Sequence, residues 1–396
     1  MRIKIYILLV FLAIANCYSQ SGFSDRIRAY GLLQSGAYSE AVTAFSSLQN
    51  LNSHDKLSLG IALFYTGDYS AARKNFQIAD EAGVAEANLW IAKIYGVSRN
   101  TNDALFYIER YLKTSKKPDV ASVQKDSSFR YMHQSDSWFD LWQTDWYSPI
   151  QRLEQEAMFY IKRKNFQAAH MVIENALNEN SVNTDLRLLN SKIYFAEENP
   201  NLALNELNQG LKVEPANISL LKERAGCFIL LSDFNSALTD LNQLMSLDPT
   251  DFDIRIMRAK TAFEAKDFEQ AEEDMGIYLQ YFNNEDAVFL AGQIAYNAED
   301  YYNALIYFNR LMKEAKPNAL YFKARGLTYY QSNNYSLASN DLSMSLDLEP
   351  NSGETNLYMG MTEYYLGNLK AACYYWKKAK EDNELQAIEY LQKYCK

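Results

Sequence analysis

Three histidines, four cysteines and a large set of carboxylates are the residues here able to make or break bonds. His54, His133 and His170 lie far apart, and no two have the helical or loop spacing that puts imidazoles on one metal. No GxSxG elbow, phosphate-cradling GxxxxGK[ST] loop or GxGxxG turn occurs. Cys227, Cys373 and Cys395 have no histidine nearby in sequence to raise a thiolate, and His170, directly after Ala169, reads as a packed or surface side chain. Glu269, Glu272, Glu273 and Asp274 would share a helix, where such a run forms a solvated face more readily than an acid/base pair or a calcium site. Nothing asks for catalysis, a metal or a cofactor, so the expectation is a non-enzymatic protein. What remains is recognition. Trp138, Trp142 and Trp146, three of the five tryptophans, fall at steps of four on one helical face.

The elements that must position these side chains announce themselves by repetition. Residues 203–215 read ALNELNQGLKVEP, 237–249 read ALTDLNQLMSLDP, and 338–350 read ASNDLSMSLDLEP. Ala169, Ala203, Ala237 and Ala271 stand 34 residues apart, followed by Ala304, Ala338 and Ala372 at steps of 33, 34 and 34. Upstream, Ala41, Ala72 and Ala104 keep steps of 31 and 32. A ring precedes most of these alanines by three positions (Tyr38, Tyr69, Phe166, Phe234, Phe268, Tyr301, Tyr335). A small residue precedes each by twelve, from Ala29 and Gly60 to Gly326 and Gly360. Apolar residues before and after each ring recur at helical spacing, as in Ala237, Leu241, Leu244 and Met245. Each period is therefore a helix–turn–helix hairpin: the small residue and the alanine let two backbones approach, and proline ends the second helix. Six of the seven prolines, including Pro118, lie at or beside period boundaries, and Pro200 sits in a turn within one.

A 34-residue hairpin with small, aromatic, alanine and terminal proline positions resembles the tetratricopeptide repeat. The resemblance implies an all-α α-solenoid, a right-handed superhelix of about ten such hairpins, with three repeats over 20–118 and seven over 150–386. Residues 387–396, in LQAIEYLQKYCK, read as a capping helix. Ala262, Ala295, Glu363 and Leu369 depart from the repeat's ring positions. The tryptophans belong to residues 119–149, which lack an anchoring alanine; that segment reads as a degenerate helical insert whose indoles plug a joint, with an aromatic anchor for a partner as the sharper alternative.

In this family the first helix of each repeat lines the concave side. Carried over, the resemblance implies a wall of aromatic rings (Phe64, Phe195, Phe263, Tyr296, Tyr330, Tyr364) dotted with Lys93, Lys192 and Lys260. Such a groove suits an extended peptide or a helix bearing acidic groups. The lysine–asparagine clamp some members use for a terminal carboxylate is not recognisable.

Composition bounds the partners. The chain of 396 residues is 48% hydrophobic, carries only 15 glycines and 7 prolines, and has 30 tyrosines. A formal net charge of −10 opposes wrapping nucleic acid. Residues 1–19 read as a signal peptide: MRIK, the apolar run IYILLVFLAIA, then NCYSQ with cleavage after Ser19. Losing Arg2 and Lys4 takes the charge from −10 to −12. A lipid anchor on Cys17 is the rival reading, disfavoured by Asn16 before it. No later run is long enough to span a bilayer. Cys373 and Cys395 would meet if the last helix folds back, but an odd, widely spaced set reads as buried free thiols. The expectation is an exported, periplasmic or cell-envelope scaffold binding a protein or peptide, with a glycan- or small-ligand-binding solenoid as the alternative.

Overall fold

The structure is a computed structural model that describes residues 24–114 and 120–395. The leader, Cys17, Pro118 and the 118/119 boundary lie outside the described residues. Every described element is helical, and the fold is an α-solenoid of antiparallel hairpins whose two helices pack on each other. The chain divides into two compact units between Phe252 and Asp253.

The first unit opens with the helix over 24–34 and Tyr38–Ser47. Two hairpins follow, Ser53–Tyr65 with Tyr69–Glu81 and Glu86–Val97 with Thr101–Leu112. After a short helix Val120–Lys125, a 3-10 turn Ser127–Met132 and a helix Asp136–Gln143 come three more: Pro149–Lys162 with Phe166–Glu179, Thr184–Ala196 with Pro200–Val213, and Ile218–Leu230 with Phe234–Leu247. Gln34 Nε2 donates to the carbonyl of Thr250 at 3.0 Å, so the first helix meets the loop after the sixth hairpin, 216 residues away. The second unit holds Phe252–Glu264 with Phe268–Tyr278, Glu285–Asn297 with Tyr301–Glu314, Ala319–Gln331 with Tyr335–Leu348, Gly353–Tyr365 with Leu369–Glu381, and the final helix Gln386–Tyr394.

Local signals explain the hairpins. The residue before the second helix is a cap: Asp68, Asn165, Asp233, Asp267 and Asp300, each directly before a ring, and Asn100, before Thr101, each accept the N–H three residues on. The turn before it takes one residue in the left-handed region, glycine at 67 and 367 but Ser232, Lys266, Glu299 and Asn333 elsewhere. The small residue in the first helix makes room for a side chain sixteen positions on. A Cβ on Gly60 would lie 2.5 Å from Phe76, and one on Gly360 2.5 Å from Trp376. Both rings are fully buried, as is every anchoring alanine of the period.

The charged residues carry a second period. Arg224 donates to both oxygens of Asp240 at 2.8 and 2.6 Å, and its third nitrogen donates to Asn208 on the preceding hairpin at 2.7 Å. Arg325 repeats this with Asp341 (2.6 and 2.7 Å) and Asn309 (2.9 Å). The spacing is sixteen residues on either side, so one arginine ties a hairpin together and to its predecessor. Asp274, wholly buried, takes Arg258 at 2.7 Å and Arg255 at 3.0 Å.

The free-thiol expectation fails for two of three cysteines. Cys373 and Cys395 form a disulfide with Cα atoms 5.7 Å apart. The final helix folds back on Leu369–Glu381 and brings together two residues that spacing alone left apart. Cys227 is a buried free thiol whose pKa burial pushes up to about 11.

Candidate interaction surface

In the second unit the first helices of consecutive hairpins present tyrosines that meet edge to face. Tyr330, near the end of Ala319–Gln331, lies 5.4 Å from Tyr358 at 80° and 5.7 Å from Tyr335 at 64°. Tyr335 stacks on Tyr365 at 4.7 Å and 8°. Tyr364 continues the network to Tyr394 of the final helix at 4.6 Å, above the buried indole of Trp376. Tyr390 stacks on the same indole at 5.0 Å. Burial first, then the neighbouring phenols of Tyr365, Tyr390, Tyr335 and Tyr358, push the Tyr330 hydroxyl above its ordinary pKa. Tyr358 and Tyr390 are raised for the same leading reason. Tyr364 and Tyr365 stay 38% and 55% exposed, so the network has an open side.

The residues singled out in the sequence fall into several settings. Tyr330 and Tyr364 join this surface. Tyr296 sits beside it, its ring 5.9 Å from Tyr301 and its hydroxyl 3.5 Å from Gln331 Nε2. Phe263 instead packs on Phe268, Phe195 is exposed, and Lys260 is exposed on its helix. Lys93 pairs with Asp126 at 2.9 Å and lies 4.2 Å from the Trp90 ring centre, while Lys192 pairs with Glu154 at 3.0 Å. Against the upward push of burial, Lys93 and the Ser128 backbone N–H hold the Asp126 carboxyl below its usual value. Two of the three lysines are thus engaged within the fold.

The tryptophans divide in the same way. Trp138 is buried, stacked on His133 at 4.8 Å, and Trp142 meets it at 5.4 Å within the same apolar cluster. Trp146 donates to the Leu141 carbonyl at 2.8 Å and borders an open groove of about 510 Å³ with Phe106 and Leu141. His170 bonds Asn190 at 3.0 Å and faces Glu197 at 3.3 Å. Among the described residues no group of three or more histidine, cysteine or acidic side chains could hold a metal, and no helix is long and apolar enough to cross a membrane.

Four surface members, Tyr358, Tyr365, Tyr390 and Tyr394, were missed because they occupy other helical positions or the tail. The readable signal was the density of tyrosine itself in Tyr358, Tyr364–Tyr365 and Tyr390–Tyr394.

Residues 256–319 match the family model for the tetratricopeptide repeat. No curated protein sequence matches the chain. Among solved structures, a tetratricopeptide repeat protein from Parabacteroides merdae is 18% identical, covering 61% of this chain and 97% of its own, with TM-score 0.46. The C-terminal part of a repeat-containing protein from Cytophaga hutchinsonii is 14% identical over 60% of this chain and 98% of that one, TM-score 0.48. The hetero-tetramer Cut9–Hcn1 of APC/C is 14% identical over 96% and 84%, TM-score 0.46. Residues 256–319 thus carry tetratricopeptide repeat sequence, and the hairpins outside them keep the same register of small residue, ring and alanine.

Proposed function

We propose that the protein is a non-catalytic interaction scaffold of the cell envelope that holds a peptide or protein partner along the first helices of its hairpins. The observation that carries this reading is the continuous, partly open tyrosine network linking Tyr330, Tyr358, Tyr364 and Tyr365. Aromatic rings dominate binding hot spots because they bury large areas at small entropic cost. The reading of residues 1–19 as a signal peptide supports export, and the Cys373–Cys395 bond accords with it, since disulfides persist in oxidising compartments.

The test is affinity capture from the native envelope fraction with wild type beside Tyr296→Ala/Tyr330→Ala. A partner held by wild type and lost by the double variant is the expected result; failure of any protein to co-purify would count against the scaffold. Sequencing the mature N-terminus should return Gln20; a lipid-modified Cys17 would replace release by tethering.

A further inference from the structure

The open groove beside Trp146 lies away from the first helices and the tyrosine network, so what it binds is a separate question. Leu105, Phe106 and Glu109 enter it from the second helix Thr101–Leu112, and Asp140, Leu141 and Trp146 from the insert, around about 510 Å³ of space. Helical spacing puts 105, 106 and 109 on one face of their helix, and 137, 140 and 141 on one face of Asp136–Gln143. Each helix therefore brings an apolar pair and one carboxylate to the same space. The rings are set before anything binds. Trp146 donates its indole N–H to the Leu141 carbonyl at 2.8 Å, and Phe106 meets Tyr107 edge to face at 5.2 Å while staying 57% exposed.

Charge selects the ligand. Glu109 and Asp140 are the charged residues of the lining, and the remaining members, Asn102, Ser137 and Thr144, are neutral. Both carboxylates are lightly engaged. Glu109 Oε1 meets Lys113, one turn on, at 2.6 Å in an exposed pair, and Asp140 Oδ1 accepts from Gln143 Nε2 at 3.4 Å. Exposed pairs of this kind are weak, so an incoming cation can share them. An acidic ligand would meet two like charges. A neutral ligand, a sugar or an apolar side chain alike, would take both carboxylates out of water without a countercharge. A cation on a long apolar stem answers both features of the groove: the stem lies along Leu105 and Leu141, and the head meets carboxylates and ring faces together. Arginine fits best, because its planar guanidinium stacks on rings and spreads five donors over more than one acceptor.

We propose that the groove between Thr101–Leu112 and Asp136–Gln143 is a second docking site, and that it takes an arginine-bearing segment of a partner protein. The guanidinium sits against Phe106 and Trp146 and donates to Glu109 and Asp140. No covalent step is involved.

The experiment is calorimetric titration of the full chain with four probes: short peptides carrying two arginines, the same peptides with glutamine in their place, spermidine, and linear gluco-oligosaccharides. Glu109→Gln/Asp140→Asn keeps the shape of the groove and removes its charge. Glu174→Gln, at an exposed position on the helix Phe166–Glu179, is the control for the chain's general acidity. Circular dichroism checks that each variant is folded. The expected result is binding of the arginine peptides alone, weakened on the order of tenfold or more by the double variant through lost charge-assisted hydrogen bonds and unchanged in the control. Phe106→Ala should weaken it roughly threefold through the lost ring. Binding unchanged by the double variant, or weakened equally by Glu174→Gln, would overturn the site. Equal affinity for the glutamine peptides would overturn the cationic assignment, and spermidine binding as tightly as the arginine peptides would overturn the peptide segment as the source of the charge. Binding of oligosaccharide alone, or of no probe, would overturn the proposal outright. None of these outcomes touches the tyrosine network, so the capture experiment with Tyr296→Ala/Tyr330→Ala judges the scaffold reading separately.

Discussion

The two compact units are built from one hairpin yet use their variable positions differently. In the first, lysines expected to face a ligand are engaged by the fold, Lys93 by Asp126 and Lys192 by Glu154. Its added tryptophans serve mostly as core, with Trp138 buried against Phe129 and His133. In the second, tyrosines at the ends of first helices meet one another with an open side, and a disulfide holds the final helix beside them. The lesson is that period-defining positions say how hairpins stack, while residues between them decide whether a face is occupied by the chain itself or left for something else. Small and alanine positions are buried alike in both units.

The comparison can be broken most sharply inside the second unit. Asp274→Ala removes the carboxylate to which Arg255 and Arg258 both donate, in a fully buried site. The expected cost is about 3–5 kcal/mol, read as a lower urea midpoint. Asp145→Ala, which breaks an exposed pair with Arg152 in the first unit, should cost about 0–1 kcal/mol. Equal effects would refute the buried role of the arginine clasp.

Reduction, or Cys373→Ser with Cys395→Ser, opens a cross-link across a sequence separation of 22. Loop-closure entropy makes the loss about 3 kcal/mol. It should appear in the melting of the second unit, followed by hydrogen exchange, with the helices of 24–252 unaffected. Gly360→Ala drives a methyl into Trp376 and should cost about 1–3 kcal/mol by the same measurement. A neutral result would mean that the indole has room to shift.

A cumulative difference should emerge in alkali. Buried phenols such as Tyr330, Tyr358 and Tyr307 have folded pKa values above the ordinary 10.0, so above that pH the unfolded chain loses protons that the folded chain keeps. Unfolding then releases protons, and stability falls as pH rises past 10.0 while staying level below it. The first unit shares the effect at Tyr30 and Tyr111, both raised to about 12 by burial, but has fewer such groups. Guanidinium melts from pH 9 upward should therefore show the steeper decline in the second unit. The smallest expected change is a gain. Glu299→Gly relieves a left-handed residue at φ 63° in an exposed turn and should stabilise by less than about 1 kcal/mol.

Much of the architecture was legible because stacking imposes a period. Helical spacing, a cap before the ring, and a small residue that must sit beneath a bulky one leave marks at fixed intervals, and Ala237, Phe234 and Asp233 show all of these local rules. The arginine clasp was equally written, as Asn208, Arg224 and Asp240 at intervals of sixteen, but a search for apolar positions passes over charges. The candidate surface was legible in part. Tyr330 and Tyr364 follow from the register, whereas Tyr390 and Tyr394 join only because the tail folds back.

The sequence by itself determined the repeating hairpin, its caps, its turns and the absence of any recognisable catalytic motif, because these depend on contacts within about one period of the chain. The tertiary structure alone decided which charges are engaged, which indoles are core, that Cys373 meets Cys395, and that tyrosines from successive first helices share one face. Those outcomes depend on where side chains of separate helices arrive in space, and a one-dimensional spacing carries that information only when the same contact recurs in every repeat.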